Sequence, residues 1–162
     1  MRYLMREKVF SFGDDFQIKD QNDRAAFVVN GKVFSLANQL SFQDLDGNTL
    51  LSIKQQLMSW GPTYVILRGE ETVAVVKKEI FHIFKYRFTI DLTGGAPMDA
   101  EGGFSDHEYV VAREGSPVAT ISKQWFAMSD TYGVDIAQGE DDVLLLAITV
   151  VIDMVCHPDQ RN

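Results

Sequence analysis

From Val143 to Ile152 ten consecutive residues carry no charge, and only Thr149 among them carries a polar side chain. As a helix this run is apolar on every side, so it offers water no face and must lie inside protein or inside lipid. A bilayer span needs about 20 such residues. Here the run meets Asp153 after ten and reaches His157-Pro158 soon after. A charge so placed opposes insertion by roughly 2.5–3.5 kcal/mol on translocon scales. The sequence therefore predicts a helix over 141–157 enclosed by protein. The preceding Gly139-Glu140-Asp141-Asp142 supplies acids that suit the positive end of the helix.

The rest of the chain reads as the wall around it. From Val9 to about Ile136, short β-branched or aromatic runs are punctuated by Gly, Asn and Asp, the pattern of antiparallel strands joined by tight turns. Asn30-Gly31, Asp46-Gly47-Asn48, Arg68-Gly69-Glu70-Glu71 and Arg113-Glu114-Gly115-Ser116 are hairpin signals, because Asn-Gly and Asp-Gly tolerate the positive φ of a type I′ turn. His82 to Asp91 alternates, with Phe84, Tyr86, Phe88 and Ile90 on one face and Lys85, Arg87, Thr89 and Asp91 on the other. The Gly-rich, acidic segment 93–103 lacks the Gly-Lys-Ser/Thr ending of a phosphate-binding loop and is expected to be a turn-rich crossing loop. At an offset of 68, Gly47, Ile53, Gln56, Thr63 and Tyr64 match Gly115, Ile121, Gln124, Thr131 and Tyr132. Such a period is too long for a solenoid and implies pseudo-symmetry inside one closed sheet. The expected fold is mainly β: a closed antiparallel β-barrel of about twelve strands around a central buried C-terminal helix.

A chain of 162 residues fits one domain, residues 1–162. Its 46% hydrophobic and 23% charged residues exclude disordered, collagen-like and disulfide-scaffold classes. The net charge of −8 disfavours nucleic acid as a partner. That charge is unevenly spread: residues 1–90 hold twelve Lys and Arg against ten Asp and Glu, whereas 91–162 hold three against thirteen. Cys156 is the only cysteine, so no intramolecular disulfide or Cys-rich zinc site exists. The apolar stretch after Arg2, Arg6 and Lys8 is too short for a signal peptide, and the expected location is cytoplasmic.

Several segments resemble the LURP-one-related branch of the tubby C-terminal-like superfamily. They are Arg6-Glu7-Lys8-Val9-Phe10-Ser11, Phe16-Gln17-Ile18-Lys19-Asp20, the paired Ile53-Lys54-Gln55-Gln56 and Ile121-Ser122-Lys123-Gln124-Trp125, Asp130-Thr131-Tyr132-Gly133-Val134-Asp135-Ile136, and Ala147-Ile148 to Ile152-Asp153. The resemblance covers nearly the whole chain and implies a strand barrel closed around a helix. It implies no catalytic activity, since that branch has none established as a class. The superfamily also holds tubby proteins, which bind phosphoinositides, and phospholipid scramblases. No tubby-type phosphoinositide-binding Lys/Arg motif maps onto this chain.

Candidate chemistry is sparse. His82, His107 and His157 lack metal-ligand spacing, so no metal and no cofactor is expected. His107, beside Asp106 and Glu108, is the one candidate general base, against the plainer reading of a structural or surface histidine. Cys156, at the apolar helix end, reads as a buried inert thiol. Asp153 either reaches solvent or a strand N–H at the helix end, or forms a buried site that must be paired. Lys77, Lys78, Lys85 and Arg87 form the basic cluster, with Lys54 and Arg68 near it if adjacent hairpins pair. Its cations suit anionic headgroups; the plainer reading is edge-strand lysines that discourage aggregation. The expected function is a non-enzymatic binding or scaffold protein that meets anionic membrane lipid through those four residues, with a protein partner as the other candidate and no transmembrane segment. The rivals are an enzyme using the His107 neighbourhood and a purely structural interaction module.

Overall fold

In the computed structural model, residues 1–6, 15–31, 39–82, 85–124 and 131–157 are described. Among them the alternating segments form twelve strands: β1 (Arg2–Arg6), β2 (Asp15–Asp20), β3 (Ala25–Asn30), β4 (Gln39–Gln43), β5 (Thr49–Gln55), β6 (Thr63–Arg68), β7 (Glu71–His82), β8 (Lys85–Leu92), β9 (Met98–Gly103), β10 (Glu108–Arg113), β11 (Ser116–Ser122) and β12 (Thr131–Ile136). Each strand pairs antiparallel with its neighbours in sequence, and β1 closes the ring on β12 from Arg2↔Asp135 to Arg6↔Thr131. Closure removes the exposed sheet edges that an open twelve-strand meander would leave. One face of each strand points inward. Leu40 and Phe42, Leu51 and Ile53, Tyr64 and Ile66, and Phe88 and Ile90 are all buried.

The space they enclose is filled by α1 (Asp142–Cys156). Every residue from Leu145 to Val155 is buried, as a helix without a polar face requires. Asp141 is its N-cap, accepting the Leu144 N–H at 3.0 Å. Arginines from two strands hold the segment leading into it. Arg68 meets Asp141 at 2.7 Å, and Arg113 grips both oxygens of Glu140 at 2.7 and 2.8 Å. Tyr3 donates to Asp142 at 2.6 Å.

The internal repeat is visible in three dimensions. The offset of 68 carries β5 and β6 onto β11 and β12, which lie six strands further round the ring. Ile53 matches Ile121, Tyr64 matches Tyr132, and Ile66 matches Val134, all buried. The two hairpins thus face each other across the helix as a pseudo-twofold pair.

Three local expectations change. Asn30-Gly31 is not flanked by two strands paired across it: β3 pairs with β4, Asn30 opposite Ser41, and residues 32–38, where its partner strand is expected, lie outside the described residues. An Asn-Gly pair permits a turn, but the register is set by where Leu40 and Phe42 can face the core. His82 belongs to β7 rather than to the following strand, and it pairs with Lys85. Phe84 lies outside the described residues. Finally, 93–103 is not all loop, because Met98–Gly103 is β9, bonded to both β8 and β10. Its glycines hid the strand, yet one of them serves it. Gly102 has φ +144, and a Cβ there would lie 2.5 Å from the Glu108 carbonyl oxygen, so only glycine lets β10 approach. The other turn signals hold, with Gly47, Gly69 and Gly115 all at positive φ.

Because the strands alternate in direction, their connections sort to two poles. The turns 21–24, 44–48, 69–70, 93–97 and 114–115 share the pole where α1 starts; the connection 56–62 and a 3-10 turn at Phe104–Asp106 share the pole where α1 ends. If the helix is the core of the barrel, a chain ending at Gly139 will be insoluble or show no cooperative melting by circular dichroism. Leu146→Ala in the full chain will cost about 2–5 kcal/mol in denaturant unfolding.

Candidate functional site

Asp153 is the one acid on the enclosed part of the helix, and it sits one turn from the helix C-terminus, where the macrodipole makes a carboxylate unfavourable. No Lys or Arg lies in that last turn. The compensating groups are two histidines. His157, four residues on and therefore on the same helix face, brings Nδ1 to 3.2 Å from Asp153 Oδ1. His107 arrives from the end of the 3-10 turn between β9 and β10 and places Nε2 2.6 Å from the same oxygen. His107 is only 2% exposed and Asp153 3%. The second carboxylate oxygen, Oδ2, has no hydrogen-bond partner among the described residues.

The backbone is bent to make this contact. His107 follows the 3-10 turn with φ 54, a left-handed conformation uncommon for a side chain of its size, and its N–H returns to the Phe104 carbonyl. Its ring lies between the rings of Tyr132, 4.4 Å away, and His157, 4.5 Å away with planes 2° apart. The imidazole of His157 faces acceptors on both sides: Asp153 through Nδ1, and the Ser105 carbonyl through Nε2 at 3.4 Å. That environment favours the doubly protonated ring. The Asp153 hydrogen bond accordingly raises the His157 pKa above the usual histidine range, against the opposing effect of burial.

The donor atoms of His107, Asp153 and His157 lie within 4.8 Å of one another, a His₂-carboxylate set. Ligands of one ion must aim their lone pairs at a common point. The imidazoles of His107 and His157, stacked 2° from parallel, hold theirs in separate planes, and hydrogen bonds through Asp153 join the three groups. Cys156 adjoins the cluster, and burial pushes its thiol up to about 12, which keeps it protonated.

The residues singled out in the sequence fall in different places. His107 is not paired with Asp106 or Glu108; Glu108 accepts instead from Ser122 Oγ and the Lys123 N–H. Asp153 reaches neither solvent nor a strand N–H. Lys77 is exposed on the outer face, 3.4 Å from Asp91. Arg87 is exposed too, with Asp99 at 3.5 Å and Glu101 at 3.3 Å. Lys78 is in phase with buried Ala74 and Val76, yet it emerges at the mouth of the barrel, where its ammonium lies 3.6 Å from the centre of the Tyr86 ring. The side chains of Lys85 and His82 lie outside the described residues. Arg68 belongs to the opposite pole, against Asp141.

Charge therefore divides along the barrel axis. Asp20 and Asp23, Asp44 and Asp46, Glu70, Glu114 and Glu140–Asp142 crowd the turns at the pole where the helix begins. Toward the pole where it ends, Arg6, Lys54, Lys77, Lys78 and Lys85 stand among fewer acids, Asp15, Glu79, Glu101, Asp106 and Glu108. The excess of acid at one pole gives the barrel an axial field.

A model of the LURP-one-related family matches residues 1–153. The uncharacterized protein YxjI of Bacillus subtilis (strain 168) is 36% identical over 157 residues, covering 97% of this chain and 94% of that protein. An X-ray structure of a protein from Arabidopsis thaliana superposes with a TM-score of 0.70 at 16% identity, covering 95% of this chain and 91% of that one, a likeness of fold alone.

The network makes a pH prediction. A histidine with a raised folded pKa contributes stability that is fully present below its unfolded value, about 6.5, and that is lost as pH rises through the folded value. The melting-temperature gap between the parent and His157→Gln will thus be widest in acid and narrow on the alkaline side. Histidine NMR titration of the parent will show His157 above the ordinary range.

Proposed function

The chain belongs to the LURP-one-related family, and from that premise we propose that it is a non-enzymatic binding or scaffold protein whose basic pole meets anionic phospholipid headgroups. The observation that carries this reading is the axial division of charge. Lys54, Lys77, Lys78 and Lys85 gather toward the pole opposite the acidic turns, so an anionic surface draws the molecule in one orientation. Of the four residues proposed to contact lipid, Lys85 and Arg87 stand nearest the rim in the β7–β8 register, with Lys78 and Lys77 one and two residues behind. Lys77 and Arg87 reach it as partners in ion pairs with Asp91, Asp99 and Glu101. At 44–63% side-chain exposure for Arg87 and Glu101, such pairs are weak and exchange readily with other anions.

The catalytic alternative has little to draw on. His107 and Asp153 are sealed from solvent, and the neighbouring Cys156 thiol is held protonated. A general base must come within hydrogen-bond reach of a substrate proton, which these groups do only if the mouth of the barrel opens. The network reads as the bolt that fixes the end of the helix to the 3-10 turn. No helix among the described residues is long and apolar enough to cross a membrane, so the proposed contact is peripheral.

Vesicle flotation tests the proposal. The parent is expected to float with phosphatidylcholine vesicles that contain phosphatidylserine, to stay behind with phosphatidylcholine alone, and to lose binding as salt rises. Lys78→Glu with Lys85→Glu should weaken binding at least about thirtyfold, at about 1 kcal/mol per cation, with folding intact by circular dichroism. Arg87→Glu, whose charge is already countered, should weaken it less. A parent that ignores anionic vesicles, or a double variant that floats like the parent, refutes the contact.

A further inference from the structure

The connection between β5 and β6 presents large apolar side chains to water. Leu57 is 68% exposed, Met58 97%, and Trp60 fully exposed. Single exposed hydrophobics are ordinary, but three on one short connection make a patch that calls for a partner. The backbone beneath them is ordered by its own bonds. Ser59 Oγ donates to the Gly61 carbonyl at 2.7 Å, the Gly61 N–H returns to the Ser59 carbonyl at 3.0 Å, and Gly61 adopts φ +110 to turn the chain. The segment is therefore a fixed projection and not a flap folded back on the barrel.

Its base is tied to the basic pole. The Lys78 N–H donates to the Pro62 carbonyl at 3.1 Å, and Thr63 stands opposite Lys77 in the β6–β7 ladder. Beside this junction the exposed ring of Tyr86 lies under the Lys78 ammonium, and Lys54 is exposed one strand away. An apolar tip with Trp, a nearby Tyr and surrounding lysines is the composition that settles at a bilayer interface, where the aromatic rings and aliphatic chains enter the headgroup boundary while ammonium groups meet phosphate. A protein groove would need to match a projecting tip with Lys54, Lys77 and Lys78 near its base; a fluid anionic surface closes around it without a matching shape.

We propose that residues 57–61 insert Leu57, Met58 and Trp60 into the interface of an anionic membrane, with Lys54, Lys77 and Lys78 against the surrounding headgroups. This rests on the reading of the basic pole as a lipid contact and adds penetration to it. Electrostatic attraction orients the molecule, and the apolar tip holds it. In sequence the offset of 68 sets Trp125 against Leu57 and Phe126 against Met58, so both halves of the repeat carry large apolar residues after the matching Gln; that second segment lies outside the described residues.

The test separates penetration from surface attraction. Phosphatidylcholine–phosphatidylserine vesicles are offered to the parent and to Leu57→Ser/Met58→Ser/Trp60→Ser, whose changed side chains touch little of the chain and should leave melting unaltered. The expected result is loss of binding by at least about tenfold in the triple variant, since one hydrophobic anchor removed leaves only charge to hold it. In Trp125→Phe protein, phospholipid brominated near its headgroup should quench the fluorescence of Trp60. If that variant fails to fold, an environment-sensitive dye on Met58→Cys in a Cys156→Ser background gives the same reading, by a blue shift on binding. A parent that floats while the triple variant floats equally, or while the probe stays in water, overturns insertion and leaves the electrostatic contact standing. A parent that does not float overturns both. A parent that ignores vesicles but self-associates in sedimentation, with the association abolished by the triple substitution, assigns the patch to a second copy of the chain instead.

Discussion

A helix with no polar face is the constraint from which this molecule follows. Such a segment cannot rest on a sheet, because half of it would remain wet, and ten apolar residues are too few to cross a bilayer. It has to be enclosed on all sides. An eight-stranded barrel is already filled by its own side chains, whereas a helix needs a channel about 10–12 Å across. Twelve strands supply that room, and sequential hairpins are the simplest way to lay them down without crossing connections. The helix packs against β5, β7 and β12 from separated parts of the ring, so wall and filler each depend on the other.

The same arrangement explains why the two ends of the barrel differ. At the end where the chain leaves β12 and turns inward, the incoming segment is acidic, and arginines from β6 and β10 hold it. At the far end the helix finishes among histidines, and its only enclosed carboxylate lies within hydrogen-bond reach of His107 and His157. Carboxylates thus crowd one rim, while lysines and unpaired apolar side chains mark the other. A molecule built this way has an axis with a direction, and orientation at a charged boundary follows from its construction.

Most of the fold was legible in the chain because it rests on periodicity. The strand count, the turns at Gly47, Gly69 and Gly115, the Asp141 cap and the offset of 68 all leave local marks. β9 escaped detection because its glycines argue against a strand, and its pairing is dictated by β8 and β10 on either side. The end of β7 was missed because nothing between His82 and Lys85 announces a turn. At the site, the spacing of Asp153 and His157 was a usable sign, since four residues place both on one helix face. His107 gave none: it lies 46 residues away from Asp153 in sequence, and its acidic neighbours pointed elsewhere. The basic cluster was visible as Lys77, Lys78, Lys85 and Arg87 close together in sequence. Its partners Asp91, Asp99 and Glu101 became visible only with the register, because cross-strand neighbours are set by pairing and not by proximity along the chain.

The position of the helix after all twelve strands has a consequence for synthesis. As the chain emerges from the ribosome in order, the wall exists before the filler does, and no nascent barrel can bury its inner face until α1 has been made. Strands with apolar inner surfaces must wait, paired in part, as open meanders whose outermost edge is unsatisfied. Closure of β1 onto β12 and insertion of the helix then belong to one late cooperative event. A protein of this design is exposed to aggregation and to chaperones for nearly the whole of its translation, and it acquires its stability in a single step at the end.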